Sequence, residues 1–272
     1  MENIDNVLEF YENGAENGRL KRGLGKIELH RTKEILNKYI NNKNNIIYDV
    51  GGGIGVYSYW LAEKGNNVHL LELAHSAVKF AIENQSKTTF IAEVCDARNL
   101  NRDDESADVV LLMGPLYHLQ NKCDREQVLR EAKRVLKKGG LLFSVGISKF
   151  SSTTWALSTY GKTNNFLDDT IYKNMIEKEL ISGVHTRPKE YPYFITQAYF
   201  HTPLELQKEI ESIGFETIQK HAIEGLIWFT PCIEEKWEEE KSKEQLLNIV
   251  RLTDTEDSVM GMSPHFMIVS KK

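Results

Sequence analysis

Residues 46–61 read IIYDVGGGIGVYSYWL, and this stretch decides the fold. Ile46–Val50 is a short apolar run that stops at glycine, the pattern of a strand buried on both faces. Val56, Tyr57, Trp60 and Leu61 then recur at i, i+1, i+4 and i+5, which is one face of a helix. A strand, a glycine turn and a helix in that order predict the opening half of a βαβ unit.

The same rhythm continues downstream. Val68–Leu73, Phe90–Cys95, Val109–Met113 and Leu141–Ile147 read as further strands. Ala77, Val78, Ala81 and Ile82 repeat the helical spacing, as do Val128, Leu129, Ala132, Val135 and Leu136. The second of these helices is expected to stop at Lys137-Lys138-Gly139-Gly140, since cations suit a last turn and glycine suits the position after it. Alternating strands and helices of this length imply a parallel sheet covered on both faces. After Ser148 the rhythm breaks. Residues 149–200 are rich in aromatics and hold one clear helix, capped by Asp168 or Asp169. The alternation resumes at Thr202-Pro203-Leu204-Glu205, a capping box with proline at the first helical position. Phe215–Ile223 and His265–Ser270 are the last expected strands, with a second insertion at about 225–258. The expected organisation is therefore an N-terminal helical lid (1–45), a ligand-binding core (46–148), a cap (149–200) and a completion of the core (201–272).

Composition narrows the partners. The chain has 272 residues, 41% hydrophobic and 27% charged, which suffices for a core of ordinary size. Its 34 basic and 39 acidic residues give a formal charge of −5. Proteins that grip phosphate backbones carry basic faces, so nucleic acid is disfavoured as a partner. Cys95, Cys123 and Cys232 are scattered and odd in number, which reads as three reduced thiols. The N-terminus lacks a basic segment followed by an apolar run, and no stretch reaches the ~20 apolar residues of a membrane span. The expectation is a cytoplasmic protein.

Gly51, Gly53 and Gly55 form GxGxG at the end of the first strand, where open α/β sheets bind ligands. Bare backbone there permits a tight turn and close approach of a ligand. The dinucleotide pattern GxGxxG would need glycine at 56, and that residue is Val56. A ligand without pyrophosphate is the better match. Glu72 ends the second strand, where a carboxylate accepts the hydroxyls of a ribose. Cys95-Asp96-Ala97 ends the third, where an Asp accepts from an adenine amino group and the next N–H donates to the ring. Each signal alone has a plain structural reading, as a turn glycine or a cap. Three successive strand ends of this chemistry are harder to assign to chance.

At these residues the chain resembles the class I S-adenosylmethionine-dependent methyltransferases. The resemblance rests on DVGGGIGVYS, HLLELA, VCDARNL, ADVVLLMGPLYHL and AKRVLKKGGLLF. FYENGAENGRL, GPLYHL and TQAYFHTPLEL resemble, more narrowly, a set of bacterial small-molecule-type methyltransferases. It implies a doubly wound, seven-stranded, mostly parallel Rossmann-like sheet with the last strand antiparallel and with helical, aromatic cap insertions. It also implies S-adenosylmethionine as cofactor, with S-adenosylhomocysteine as product. Asp49 belongs to the glycine motif, and Gly51, Gly53 and Gly55 would approach the methionine part. Glu72 would hold the ribose, Leu73 would pack on adenine, and Asp96 with Ala97 would read the adenine edge. Met113 and Gly114 would meet the methionine amino group.

The acceptor side is less specified. Gly114-Pro115-Leu116-Tyr117-His118 stands where amine-methylating relatives of this fold carry Asp/Asn-Pro-Pro-Tyr, and the polar first residue is missing. His118 is a candidate base or cofactor contact, since an imidazole titrates near neutrality, and Tyr117 is a candidate to orient the acceptor. Tyr11 is a candidate to stack near the cofactor, and Arg19 or Arg31 to pair with its carboxylate. The cap aromatics Trp155, Tyr160, Phe166, Tyr191, Tyr193, Phe194, Tyr199 and Phe200 are candidates to line an apolar pocket. The leading expectation is methyl transfer to N or O of a small molecule by a monomer or homodimer, with no metal. An NAD-dependent oxidoreductase and a non-catalytic cofactor-binding protein of the same fold are the competing readings.

Overall fold

The computed structural model describes residues 18–85, 87–158 and 168–272. Its main sheet has seven strands in the order β3-β2-β1-β4-β5-β9-β8. They are β1 (Ile46–Val50), β2 (Asn67–Glu72), β3 (Ile91–Val94), β4 (Ala107–Leu112), β5 (Leu136–Ile147), β8 (Glu216–Ala222) and β9 (His265–Lys271). β1 pairs in parallel with both β2 and β4, and β9 pairs antiparallel with both β5 and β8. The chain runs outward from β1 to β3, then crosses back to β4. The strand order therefore reverses between β1 and β4, which opens a crevice at their carboxyl ends.

The period of two sorts the sheet into two cores. Tyr48, Val50, Val110, Leu112, Leu142, Phe266 and Ile268 face one side, together with the helix Lys122–Val135. Ile47, Val109, Leu111, Phe143, Val145, Met267 and Val269 face the other. Burial at ~1.5–3 kcal/mol per large apolar side chain makes any one-residue slip of register prohibitive.

The helix expected to end at the Lys-Lys-Gly-Gly run ends earlier, at Val135. β5 begins at once with Leu136, and Lys137–Gly140 lie inside it as a bulge. Leu136 pairs with Ala107 while Leu141 pairs with Val109, so the strand carries extra residues at this point. Gly139 takes φ +78°, and the Lys137 ammonium bonds Asp108 at 2.8 Å, so these lysines serve the bulge and not a helix end.

The helix Leu24–Tyr39 packs between the sheet and the second insertion. Ile35 and Leu36 pack on the sheet, while Ile27 packs on Ile227, Trp237 and Val250 of the second insertion. Arg31 is fully buried, with Nη2 donating to Asp254 at 2.7 Å and Nε to the Ile223 carbonyl at 3.3 Å. It clamps this helix to the sheet edge, which removes it as a partner for a cofactor carboxylate.

The first insertion holds two helices among its described residues, Ser151–Leu157 and Thr170–Ser182, and a short antiparallel pair, β6 (Val184–Thr186) with β7 (Gln197–Tyr199). Asp169 caps the second helix by accepting from the Tyr172 N–H. The Thr202–Glu205 capping box forms as read. Among the described residues no helix is long and apolar enough to cross a membrane.

Candidate cofactor and acceptor site

A cleft opens at the crevice between β1 and β4, with about 1080 Å³ of empty space counting its mouth. Its wall is formed by the ends of four neighbouring strands. Gly51–Gly53 follow β1, Glu72 and Leu73 end β2, Asp96–Arg98 follow β3, and Met113 and Gly114 follow β4. Arg19 and Leu20 approach from the N-terminal side.

Gly51 takes φ +67°, and a Cβ there would lie 2.6 Å from Pro115 Cγ. A Cβ on Gly114 would in turn lie 3.0 Å from the Gly51 carbonyl oxygen. The two loops therefore touch through bare backbone, and only glycine permits it. Asp49 does not line the cleft. Its carboxylate is fully buried under Gly52, where it accepts from the Ser58 hydroxyl at 2.7 Å and its Oδ1 has no hydrogen-bond partner among the described residues. Burial pushes its carboxyl up to about 6. Gly55 also stands outside the lining, turned toward Phe90 and Leu70. Of the residues expected to touch the cofactor, these two shape the loop from beneath.

Glu72 is 7% exposed, and its two oxygens accept the N–H groups of Gly53 and Ala74, each at 2.9 Å. A carboxylate at this strand end presents acceptor oxygens of the kind that ribose hydroxyls donate to. Asp96 is engaged by Arg98, whose Nη2 donates at 2.6 Å and whose backbone N–H donates at 2.9 Å. Burial works to raise the Asp96 carboxyl, but these bonds from Arg98 hold it below its ordinary value. Arg98 was not foreseen; its place two residues after a strand-end Asp is the signal that marks it.

Beyond β4, Pro115–His118 make one helical turn. The Tyr117 hydroxyl donates to the Met113 carbonyl at 2.9 Å and so fixes the strand end. His118 lies in the lining; burial drives its imidazole down to about 4, against a weaker contrary pull from the Gln197 backbone. It is neutral at physiological pH. Gln120 donates to the His185 carbonyl at 2.6 Å, which ties this loop to β6 of the cap.

Arg19 reaches the cleft but spends both terminal nitrogens on Glu28, at 2.6 and 3.0 Å. Beside Glu28 stands His265, the first residue of β9. Its Nδ1 pairs with Glu224 at 2.7 Å, and Glu224 also accepts the His265 backbone N–H at 2.9 Å. Burial would lower this imidazole, but the Glu224 and Glu28 carboxylates outweigh it and lift it to about 9. Glu28, Glu224 and His265 bring their polar atoms within 4.8 Å of one another. With Arg19 and a protonated imidazole inside, the group is a closed set of ion pairs. No local spacing in the sequence marks this group, since Glu28, Glu224 and His265 lie far apart in the chain. Tyr11, Tyr160 and Phe166 lie outside the described residues.

Known proteins resemble the chain in sequence and in fold. Residues 48–144 match the family described as "Methyltransferase domain". The "Ubiquinone/menaquinone biosynthesis C-methyltransferase UbiE" of Acidiphilium cryptum is 28% identical over 150 residues, 53% of this chain and 59% of that protein. The "Methyltransferase GfsG" of Streptomyces halstedii is 31% identical over 119 residues, 41% of each. The chain thus spans about half the length of these curated relatives. A solved S-adenosylmethionine-dependent methyltransferase from Methanosarcina mazei shares the fold, with TM-score 0.58 at 21% identity, over 88% of this chain and 96% of that one. Residues 48–144 thus match a methyltransferase domain, and the sheet around them has the Rossmann-like fold of solved S-adenosylmethionine-dependent methyltransferases.

Proposed function

We propose that the chain transfers the methyl group of S-adenosylmethionine to a nucleophilic N or O atom of a small molecule. The observation that carries this is the convergence of Gly51–Gly53, Glu72 and Asp96 on one cleft at the strand switch point. The cleft fits the cofactor: bare backbone at Gly51–Gly53 for the methionine part, acceptor positions on Glu72 for the ribose, and the Asp96-Ala97 edge for adenine. Leu73 would pack on the adenine face, and Met113 and Gly114 would present backbone to the methionine amino group.

S-adenosylmethionine supplies a methyl group already activated by positive sulfur. Held there, it would give that methyl carbon to the acceptor's lone pair as the C–S pair returned to sulfur, and the acceptor's proton would leave to a base or to water. The protein's work is to bind both molecules in line and to exclude water. His118, neutral and at the cleft wall, is the nearest candidate base, with Tyr117 positioning the loop that carries it. Arg19, held by Glu28, sets a positive charge at the cleft wall, of the sign that suits a carboxylate. The acidic balance of the chain favours a small acceptor over nucleic acid, and a reducing cytoplasmic setting as monomer or homodimer fits its three scattered thiols.

Calorimetric titration with S-adenosylmethionine tests this reading. Micromolar binding, about −8 kcal/mol, is expected for the wild type, weakened in Glu72→Ala and in Asp96→Ala. Heat from NAD and none from S-adenosylmethionine would overturn it.

A further inference from the structure

Arg125 stands in the first turn of the helix Lys122–Val135 and is 2% exposed. An arginine is buried this far only when it is paired, so its partners say what it holds. Every nitrogen of the guanidinium is bonded. Nη1 donates to the Leu119 and Gln120 carbonyls, each at 2.9 Å. Nε and Nη2 donate to Glu209 of the helix Pro203–Ser212, at 2.9 and 2.7 Å. The guanidinium carbon lies 3.9 Å from the centre of the Tyr199 ring, in β7 of the cap. One side chain thus joins the turn after β4, the helix that follows the cap, and the cap ribbon itself.

The turn it holds is a wall of the cofactor cleft, lined by Tyr117, His118 and Leu119. At its start the Tyr117 hydroxyl bonds the Met113 carbonyl, and at its end Arg125 takes the carbonyls of Leu119 and Gln120. His118 lies between these two anchors. Its ring meets Tyr117 at 4.7 Å between centroids, the Gln197 backbone of β7 and the charge of Arg19. The Gln120 amide adds bonds to the His185 and Ala198 carbonyls, at 2.6 and 3.4 Å, so the turn is tied to both strands of the cap ribbon. His118 keeps its buried place while Leu119 and Gln120 stay where the guanidinium puts them.

The shape of the guanidinium matters as well as its charge. A lysine would carry the same charge on a single nitrogen. It could serve the two carbonyls or the carboxylate, and it has no flat face for Tyr199.

We propose that Arg125 is a positioning residue for methyl transfer: it sets the turn that carries His118 against the cofactor cleft and locks that turn to the cap. The proposal rests on the methyltransferase reading and names what holds one wall of its site. The test follows the His118 ring signals by NMR against pH, assigned by their loss in His118→Gln. In the wild type they should stay flat from pH 8 to about 5.5. Arg125→Lys keeps the charge and loosens the turn, so the His118 midpoint should rise above about 5.5, toward the ordinary 6.5. Tyr199→Leu, which removes only the stacked face, should move it the same way by less. A cooperative urea transition reports that each variant is folded; should Arg125→Lys fail to fold, Tyr199→Leu carries the test. Lowered urea midpoints with His118 still flat in the folded variants would make Arg125 a clamp for stability alone and overturn the proposal. A wild-type His118 that already titrates near 6.5 would overturn it too. The NMR measurement uses no ligand, so it is separate from the reading beneath it, which fails if the wild type does not bind S-adenosylhomocysteine.

Discussion

Glu72 and Gly53 are joined by a hydrogen bond of 2.9 Å from the glycine N–H to a carboxylate oxygen. The end of β2 thereby fixes the loop that follows β1, and the residue assigned to the ribose also shapes the seat for the methionine part. Glu72→Gln keeps one acceptor oxygen and replaces the other with an amine that opposes an N–H donor. It should weaken S-adenosylhomocysteine by about tenfold, or ~1.4 kcal/mol, and Glu72→Ala by more. Calorimetry on both variants decides it; equal, unperturbed affinities would separate the carboxylate from the cofactor.

Asp49 should make stability depend on pH. Its folded pKa of about 6 lies above the ordinary 3.8, so the uncharged form is the one the fold prefers. The stability it contributes is complete below the unfolded value and is lost as pH rises through about 6. Asp49→Asn escapes that loss. By urea denaturation the variant should gain on the order of 1–3 kcal/mol over wild type at pH 8, with the difference shrinking toward pH 4. A constant difference at both pH values would contradict this account.

His118 should titrate far below neutrality. Its imidazole falls to about 4 from 6.5, so folding stability is present above 6.5 and lost as pH drops through 4. Its ring NMR signals should stay flat from pH 8 to about 5.5. The acid limb of kcat/KM should be flat over the same range if His118 is the base. An inflection near 6.5 would assign that role elsewhere.

Arg125 is buried, and Glu209 meets it through two bonds of 2.9 and 2.7 Å. Burial works to raise Glu209, yet the hydrogen bonds from Arg125 bring it down to about 2. Glu209→Ala leaves the guanidinium buried with less compensation and should cost ~3–5 kcal/mol. The exposed pair Lys79–Glu83, at 3.9 Å, is the contrast: Lys79→Ala should change stability by less than about 0.5 kcal/mol. Urea midpoints of the two variants test both figures.

Much of this was legible in the chain. The alternation of Ile47, Tyr48 and Val50 gave the two-faced strand, and Gly51 to Gly55 gave the crevice. Thr202 and Asp169 gave helix starts, because caps are local and need three residues to read. The Lys137–Gly140 run misled for the same reason: its local chemistry suits a helix end, and only pairing with β4 makes it a bulge. The ion pairs of Arg19, Glu28, Glu224 and His265 were beyond reading by spacing. Glu224 and His265 meet because β8 and β9 pair antiparallel, with Ala222 opposite Phe266. Had that register been inferred, the pair was available.

The direction of β9 has a consequence for how such a chain diversifies. Because it runs against its parallel neighbours, its first residue stands at the ligand edge, straight after the second insertion. The cleft at the strand switch point is lined by residues 51–119 and an N-terminal turn. A second hollow, with Trp155, Tyr172, Phe194 and Trp228 in its lining, draws mainly on residues after 148, so the two cavities are built from separate stretches of the chain.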